Sequence, residues 1–210
     1  ERQWLVNLIL WGNYSRLRNA AIAALGGDLR GRTLQVSCVY GDLTRRIALR
    51  LVRGGELHVI DVLRIQLDNL VRKLPRRLLE RRGPDGRDPP AVELFQADSS
   101  ALEFPTGSYD RALLFFLLHE QPAEVRRATV AEALRVVKPG GRIVIVDYHR
   151  PHRLNPLYWP MRGVFGALEP FALDLWREDV ADWLPPGTRA SGLHKRTFFG
   201  GLYQLVAITV

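Results

Sequence analysis

The chain has 210 residues, 47 % of them hydrophobic, which is enough for one domain with a full core. Its formal charge of +8 is mostly arginine scattered along the chain, without zinc-finger, RRM or KH spacing, so nucleic acid is excluded as the expected partner. A single cysteine, Cys38, excludes an intrachain disulfide and points to a reducing compartment, and no apolar run approaches the roughly 20 residues that span a bilayer.

Residues 4–25 carry apolar side chains at helical spacing, and Gly26-Gly27 closes them as a C-terminal cap, so one long amphipathic helix is predicted over residues 1–27. The chain opens at Glu1 rather than Met, which is compatible with further sequence upstream. The pattern then predicts strand 33–39, helix 43–52, strand 56–60 and helix 65–74. Arginines and turn residues crowd from Arg72 to Arg87, which reads as a helix end and a solvated loop. Strands at 92–96 and 111–118 follow, then a helix at 123–137 ended by Lys138-Pro139-Gly140-Gly141, and a β-branched strand at 142–146. Alternating strands and helices predict an α/β fold, a doubly wound parallel sheet with ligands beyond the carboxyl ends of its strands. Prolines 151, 156, 160 and 170 interrupt an aromatic-rich stretch, predicted as a substrate-covering insertion over 150–185. Strands at 195–199 and 203–210 are expected to close the sheet as an antiparallel hairpin.

The turn after the first strand, Gln35-Val-Ser-Cys-Val-Tyr-Gly41, has the layout of a nucleotide-binding turn but keeps one glycine. Against the acidic-x-GxGxG pattern of S-adenosylmethionine (SAM) methyltransferases, Gln35 stands at the acid, and Ser37 and Val39 stand at the first two glycines. Asp61, followed by Val62, ends the second strand where an acid can accept hydrogen bonds from ribose hydroxyls, and Asp98-Ser99 occupies the adenine position. Leu118 ends the fourth strand at the same crevice. Taken with the Lys-Pro-Gly-Gly motif, these spacings resemble the class I SAM methyltransferases, which implies a Rossmann-like seven-stranded sheet and an N-terminal lid helix.

Strands four and five run into His119-Glu120 and Asp147-Tyr148-His149, which the expected strand order places side by side. His119, Asp147 and His149 are candidate ligands for a divalent ion such as Mn²⁺; the alternative is that both imidazoles pack or hydrogen-bond and Asp147 caps the next segment. His119 and Glu120 are candidate acid/base groups, with Tyr148 or Tyr203 assisting proton transfer. Tyr40 either stacks on a substrate beside the turn or fills space left by the missing glycines. Cys38 reads as core rather than nucleophile. Trp4, Trp11, Tyr14, Tyr158 and Trp159 form either an apolar lid or membrane face, or ordinary packing.

Five stretches carry a narrower resemblance: residues 1–15, Val36-Ser-Cys-Val-Tyr-Gly-Asp42, Leu114-Phe-Phe-Leu-Leu-His-Glu-Gln-Pro122, Ile145-Val-Asp-Tyr-His-Arg-Pro151 and Phe199-Gly-Gly-Leu-Tyr203. Together they resemble the bacterial rhodoquinone biosynthesis family RquA. That resemblance implies a transferase that converts ubiquinone to rhodoquinone, replacing a ring methoxy group by an amino group from SAM with help from manganese. It also implies a cytoplasmic protein held peripherally on the inner face of the bacterial membrane. The competing expectations are a conventional SAM-dependent quinone methyltransferase, or a non-catalytic scaffold that binds a quinone or nucleotide.

Overall fold

The structure, a computed structural model, describes residues 10–39, 41–82, 88–169, 171–188 and 192–210. Seven strands form one sheet: β1 (Arg32–Val36), β2 (Glu56–Asp61), β3 (Val92–Gln96), β4 (Tyr109–Phe115), β5 (Val137–Tyr148), β6 (Gly192–Phe198) and β7 (Tyr203–Thr209). Their order is β3-β2-β1-β4-β5-β7-β6. The first five are parallel, and β7 pairs antiparallel with both β5 and β6. The expected doubly wound architecture and closing hairpin are both present. The order reverses between β1 and β4, which opens the ligand crevice at their carboxyl ends.

The helices are α1 (Tyr14–Leu25), α2 (Leu43–Ala48), α3 (Arg64–Lys73), α4 (Arg76–Leu79), α5 (Ala123–Val136) and α6 (Tyr158–Leu168). The expected N-terminal helix is shorter than its apolar period suggests. Residues 10–12 form a turn, with Trp11 and Gly12 in the left-handed region at φ 52° and 75°, and residues 1–9, including Trp4, lie outside the described residues. α1 packs across β4, β5 and β7, with Tyr14 edge-on to Phe115 at 6.3 Å between ring centroids. The basic stretch after α3 holds the extra turn α4 and a bridge between Arg82 and Asp88.

Two further departures bear on the site. β1 stops at Val36, earlier than predicted, because Ser37 turns into the left-handed region at φ 79°. β5 begins at Val137, before the Lys-Pro-Gly-Gly motif: it pairs Tyr109 with Val137, then shifts register to pair Arg111 with Arg142. Residues 138–141 bulge between the two registers, and Gly141 has no room for a Cβ, which would sit 2.5 Å from Val137 Cγ1 and 2.8 Å from the Asp110 carbonyl. The prolines of the covering segment did not prevent α6, because Pro160 falls in its first turn, where the missing N–H is unneeded.

Candidate active site

At the end of β1 the chain makes a turn that α1 closes from above. Gly41 is required twice over. Its φ is 83°, and a Cβ there would lie 2.4 Å from the Tyr14 hydroxyl. Burial, with the Asp42 carboxylate nearby, pushes that hydroxyl up to about 12. Arg18 Nη1 donates to Asp42 Oδ1 at 2.7 Å, so the lid helix and the turn are pinned together. Tyr40 lies outside the described residues.

Asp61 is buried at the end of β2 and reaches across to the turn. Its Oδ2 accepts from the Cys38 N–H at 2.8 Å, and its Oδ1 from the Leu63 N–H at 2.9 Å. The Ser37 hydroxyl also reaches Oδ2, at 3.5 Å, so Oδ1 is the oxygen that keeps a lone pair for a ligand. Val62 beside it is exposed. Cys38 is held as a thiol, its pKa pushed up to about 12 by burial and by Asp61, as expected of a residue that is not a nucleophile. Gln35 is fully buried; its Nε2 donates to the Ser37 carbonyl at 3.0 Å, while its Oε1 has no partner. An orphaned buried acceptor at this position suits a ligand donor that is not part of the protein.

The adenine-side residues divide. Asp98 is exposed and accepts from the Ser100 N–H and hydroxyl at 2.8 and 2.7 Å, bonds that hold its carboxyl below the ordinary range. Ser99 instead belongs to the framework: its hydroxyl meets Thr129 Oγ1 at 2.9 Å and accepts from Gln121 Nε2 at 3.0 Å. Leu118 is wholly buried and contributes its backbone rather than its side chain.

Beyond β4 and β5 the site is tighter. Phe116 is forced to φ 53°, its N–H donating to the Val146 carbonyl at 2.7 Å, and the chain then makes a 3₁₀ turn, Leu118–Glu120. That turn delivers His119 onto Asp147, His119 Nδ1 to Asp147 Oδ1 at 2.8 Å, both residues buried. Asp147 also accepts from the N–H groups of Leu118 and Tyr148, each at 2.8 Å. With the Asp147 oxygens acting as acceptors throughout, Nδ1 is the donor of the pair and Nε2 faces away from Asp147. Burial opposes charge on His119, but the Asp147 carboxylate, its hydrogen bond, and Glu169 and Glu120 outweigh it, and the pKa is raised. Nε2 lies 3.8 Å from both Glu120 Oε1 and Glu169 Oε2. Glu120 itself is raised, by partial desolvation first and then, against the pull of His119, by Asp147 and Glu169.

An aromatic wall surrounds this dyad. The Tyr148 ring stands edge-on to His119 at 4.8 Å and to Phe165 of α6 at 4.6 Å, with Phe116 and Tyr203 at 5.3 and 5.8 Å. Burial raises the pKa of both tyrosines, so both are neutral phenols, and the Tyr203 hydroxyl is buried without a partner. Glu169 Oε2 is likewise buried without a hydrogen-bond partner, its neighbour being His119 Nε2 at 3.8 Å. Sequence reasoning missed Glu169; the available signal was that it is the first acid after residues 150–168, which contain none. It also missed Arg126, fully buried, which donates to the carbonyls of Leu118, Gln121 and Phe171 and so ties the His119 turn to the cover.

The expected metal set is not assembled. His149 turns away and its Nδ1 meets the Gly201 carbonyl at 2.7 Å, while His119 and Asp147 satisfy each other. Among the described residues no group of three or more His, Cys, Asp or Glu side chains could hold a metal ion. The residues present therefore do not fit a resident manganese ion, and the hydrogen-bonding alternative for both imidazoles is the arrangement found.

Residues 33–141 match the family model described as "Methyltransferase domain". This chain belongs to the methyltransferase-domain family. It is 31 % identical over 154 residues to the ubiquinone/menaquinone biosynthesis C-methyltransferase UbiE of Ectopseudomonas mendocina, a match covering 73 % of this chain and 55 % of that protein. The chain thus spans about half the length of the curated relatives it matches. Among solved structures, the N-methyltransferase NodS from Bradyrhizobium japonicum superimposes with a TM-score of 0.61 at 12 % identity, covering 96 % of both chains. A geranyl diphosphate methyltransferase in complex with SAM gives 0.61 at 15 % identity, covering 92 % of this chain and 83 % of that one. The methyltransferase-domain family and the strand order agree on the class I SAM methyltransferase fold.

Proposed function

We propose that this chain is a SAM-dependent transferase acting on a lipid quinone, and that it exchanges a ring methoxy group of ubiquinone for an amino group drawn from SAM, yielding rhodoquinone. The observation that carries the amino-transfer reading is Gln35, neutral and fully buried at the first-strand position, with its Oε1 unpaired. A carboxylate there would hold the donor's ammonium charged and unreactive; a neutral amide oxygen accepts a hydrogen bond from that nitrogen without stabilising its charge as strongly. Asp61 holds the ribose through Oδ1, with Asp98 on the adenine side and the Gly41 turn approaching the ligand closely. SAM supplies the nitrogen.

His119 Nε2 is the acid/base group in this scheme. It takes a proton from the attacking nitrogen as the new carbon–nitrogen bond forms, and returns it to the methoxy oxygen as the carbon–oxygen bond breaks and methanol leaves, which joins the ring to the donor through nitrogen. Loss of the donor's Cα proton then passes an electron pair into the quinone and leaves an imine, and water cleaves that imine to release the amino-quinol and the donor's carbon skeleton as a 2-oxo acid. Asp147 fixes the tautomer and stabilises the imidazolium. The walls of Phe116, Tyr148 and Phe165 exclude water, and the Tyr203 hydroxyl is free to donate to a quinone carbonyl. No step here passes through a metal.

The relatives' printed activity favours a second reading, C-methylation of a quinone ring, in which the same dyad removes a ring proton. The deciding experiment is mass spectrometry of purified protein with short-tailed ubiquinone and SAM labelled with ¹⁵N on its amino group, with and without Mn²⁺. Labelled amino-quinone supports the proposal, a methylated quinone replaces it with the second reading, and binding without product leaves a scaffold.

A further inference from the structure

The outer surface of the cover segment has a composition unlike the rest of the molecule. Residues 150–168 contain Arg150, Arg153 and Arg162, one histidine and no acid. α6 buries Tyr158, Met161 and Phe165 at i, i+3 and i+7, and turns Trp159, Arg162 and Val164 outward. Trp159 is 68 % exposed, and Leu154 in the preceding loop is 97 % exposed. Arg162 lies over the Trp159 ring at 5.7 Å. The β6–β7 hairpin is tied to that loop, with Asn155 Nδ2 donating to the Phe199 carbonyl at 2.9 Å and the His152 N–H to the Gly200 carbonyl at 3.0 Å. Phe199, itself partly exposed at φ 52°, therefore extends the same apolar edge.

Arg150 and Arg153 make no ion pair among the described residues, and they line a cavity of about 540 Å³ together with His149 and His152. Three acids share that lining without pairing with either arginine: Asp179 meets Lys195 at 2.7 Å, Glu178 the Trp183 indole at 2.6 Å, and Asp182 the Asp179 N–H at 2.8 Å. Exposed aromatic and aliphatic tips interleaved with arginines that form no ion pair among the described residues match one kind of partner. The tips insert at the acyl boundary while the guanidinium groups meet phosphates.

We infer that this face, centred on Leu154, Trp159 and Arg162, docks on an anionic phospholipid bilayer, with α6 lying in the interface plane. Among the described residues no helix is long and apolar enough to cross a membrane, so attachment at this face is peripheral. The inner side of the same helix carries Phe165 against Tyr148, one ring from His119. Docking thus places the roof of the reaction pocket against the medium that holds a lipid quinone. That last consequence rests on the proposed quinone substrate; the docking does not.

The test is flotation of the full chain with vesicles of phosphatidylcholine alone and of phosphatidylcholine containing phosphatidylglycerol. Binding is expected to the anionic vesicles and to weaken with salt. Each arginine facing the surface is worth roughly a fivefold change in partitioning, so R150E/R153E/R162E is expected to weaken binding by roughly a hundredfold or more. L154A/W159A weakens it by about tenfold while leaving turnover of a water-soluble short-tailed quinone unchanged. The control, R72E/R76E/R77E, makes the same change in net charge beside β3, at the other edge of the sheet. Failure to bind anionic vesicles, or equal loss in the control, overturns the docking face. Loss of short-tail turnover in the wild-type chain overturns the substrate reading and leaves the docking face standing.

Discussion

The two halves of the crevice differ in how they spend their polar atoms. On the β1–β2 side Asp61 and Asp98 are satisfied by nearby backbone and hydroxyl donors, and the side chains that hold the turn come from within about thirty positions of one another in sequence. On the β4–β5 side a buried His–Asp pair sits under rings from β5, α6, β7 and the residue that follows β4, and Glu169 Oε2 and the Tyr203 hydroxyl lack hydrogen-bond partners, as Gln35 Oε1 does on the first side. The half proposed to hold the donor is a local motif; the half proposed to hold the acceptor is assembled from distant segments.

The largest expected effect falls on the acceptor half. His119→Ala is expected to lower kcat by about a thousandfold with little change in donor affinity, measured by single-turnover kinetics and calorimetry. If donor affinity falls equally, the two halves are not separable. In the donor half, Gln35→Glu restores the acid, and is expected to cut labelled amino-quinone formation by about tenfold or more, since a charge-assisted bond is worth ~1.5–3 kcal/mol. Unchanged yield in a folded variant removes Gln35 from the argument. Asp61→Asn is smaller still: the KM for SAM rises by about tenfold while kcat is nearly retained, because binding rather than chemistry is lost.

The finest distinction is in pH. Asp147 and its neighbours raise the His119 pKa, so the limb on which neutral His119 appears lies above the ordinary value of about 6.5, and kcat/KM climbs as pH rises through it. Asp147→Asn lowers that limb by about one unit or more, and an unmoved limb identifies another base. The same shift links to stability with the opposite sense. The charged pair contributes fully below about pH 6.5 and its contribution is lost as pH rises through the higher folded value. His58 works the other way, because burial lowers its pKa: its contribution is present above about pH 6.5 and lost as pH falls. Thermal melts of His119→Gln and His58→Gln across that range separate the two.

Most strands were legible as short apolar-rich runs between turn residues, and β3 matches its predicted bounds of 92–96. The meeting of His119 with Asp147 was legible too, since adjacent parallel strands deliver their last residues to one crevice. What the residues around them do was not. The Asp147-x-His149 pair sits at a strand end, yet alternation broke there: the His149 N–H donates to the Leu202 carbonyl and its ring to Gly201, outside the dyad. Glu169 and Arg126 stand in no motif, and their roles exist only through contacts with the 3₁₀ turn at 118–120.

Hydrophobic period, turn residues and the spacing of acids at strand ends determined by themselves the α/β class, the position of the crevice and the side on which a nucleotide-like donor belongs, because each depends on neighbours along the chain. Tertiary structure alone decided that two histidines expected to share a metal part company, and that a carboxylate from the cover joins one of them. Those outcomes depend on which side chains compete for the same buried donors, and that competition exists only where segments far apart in the chain pack together.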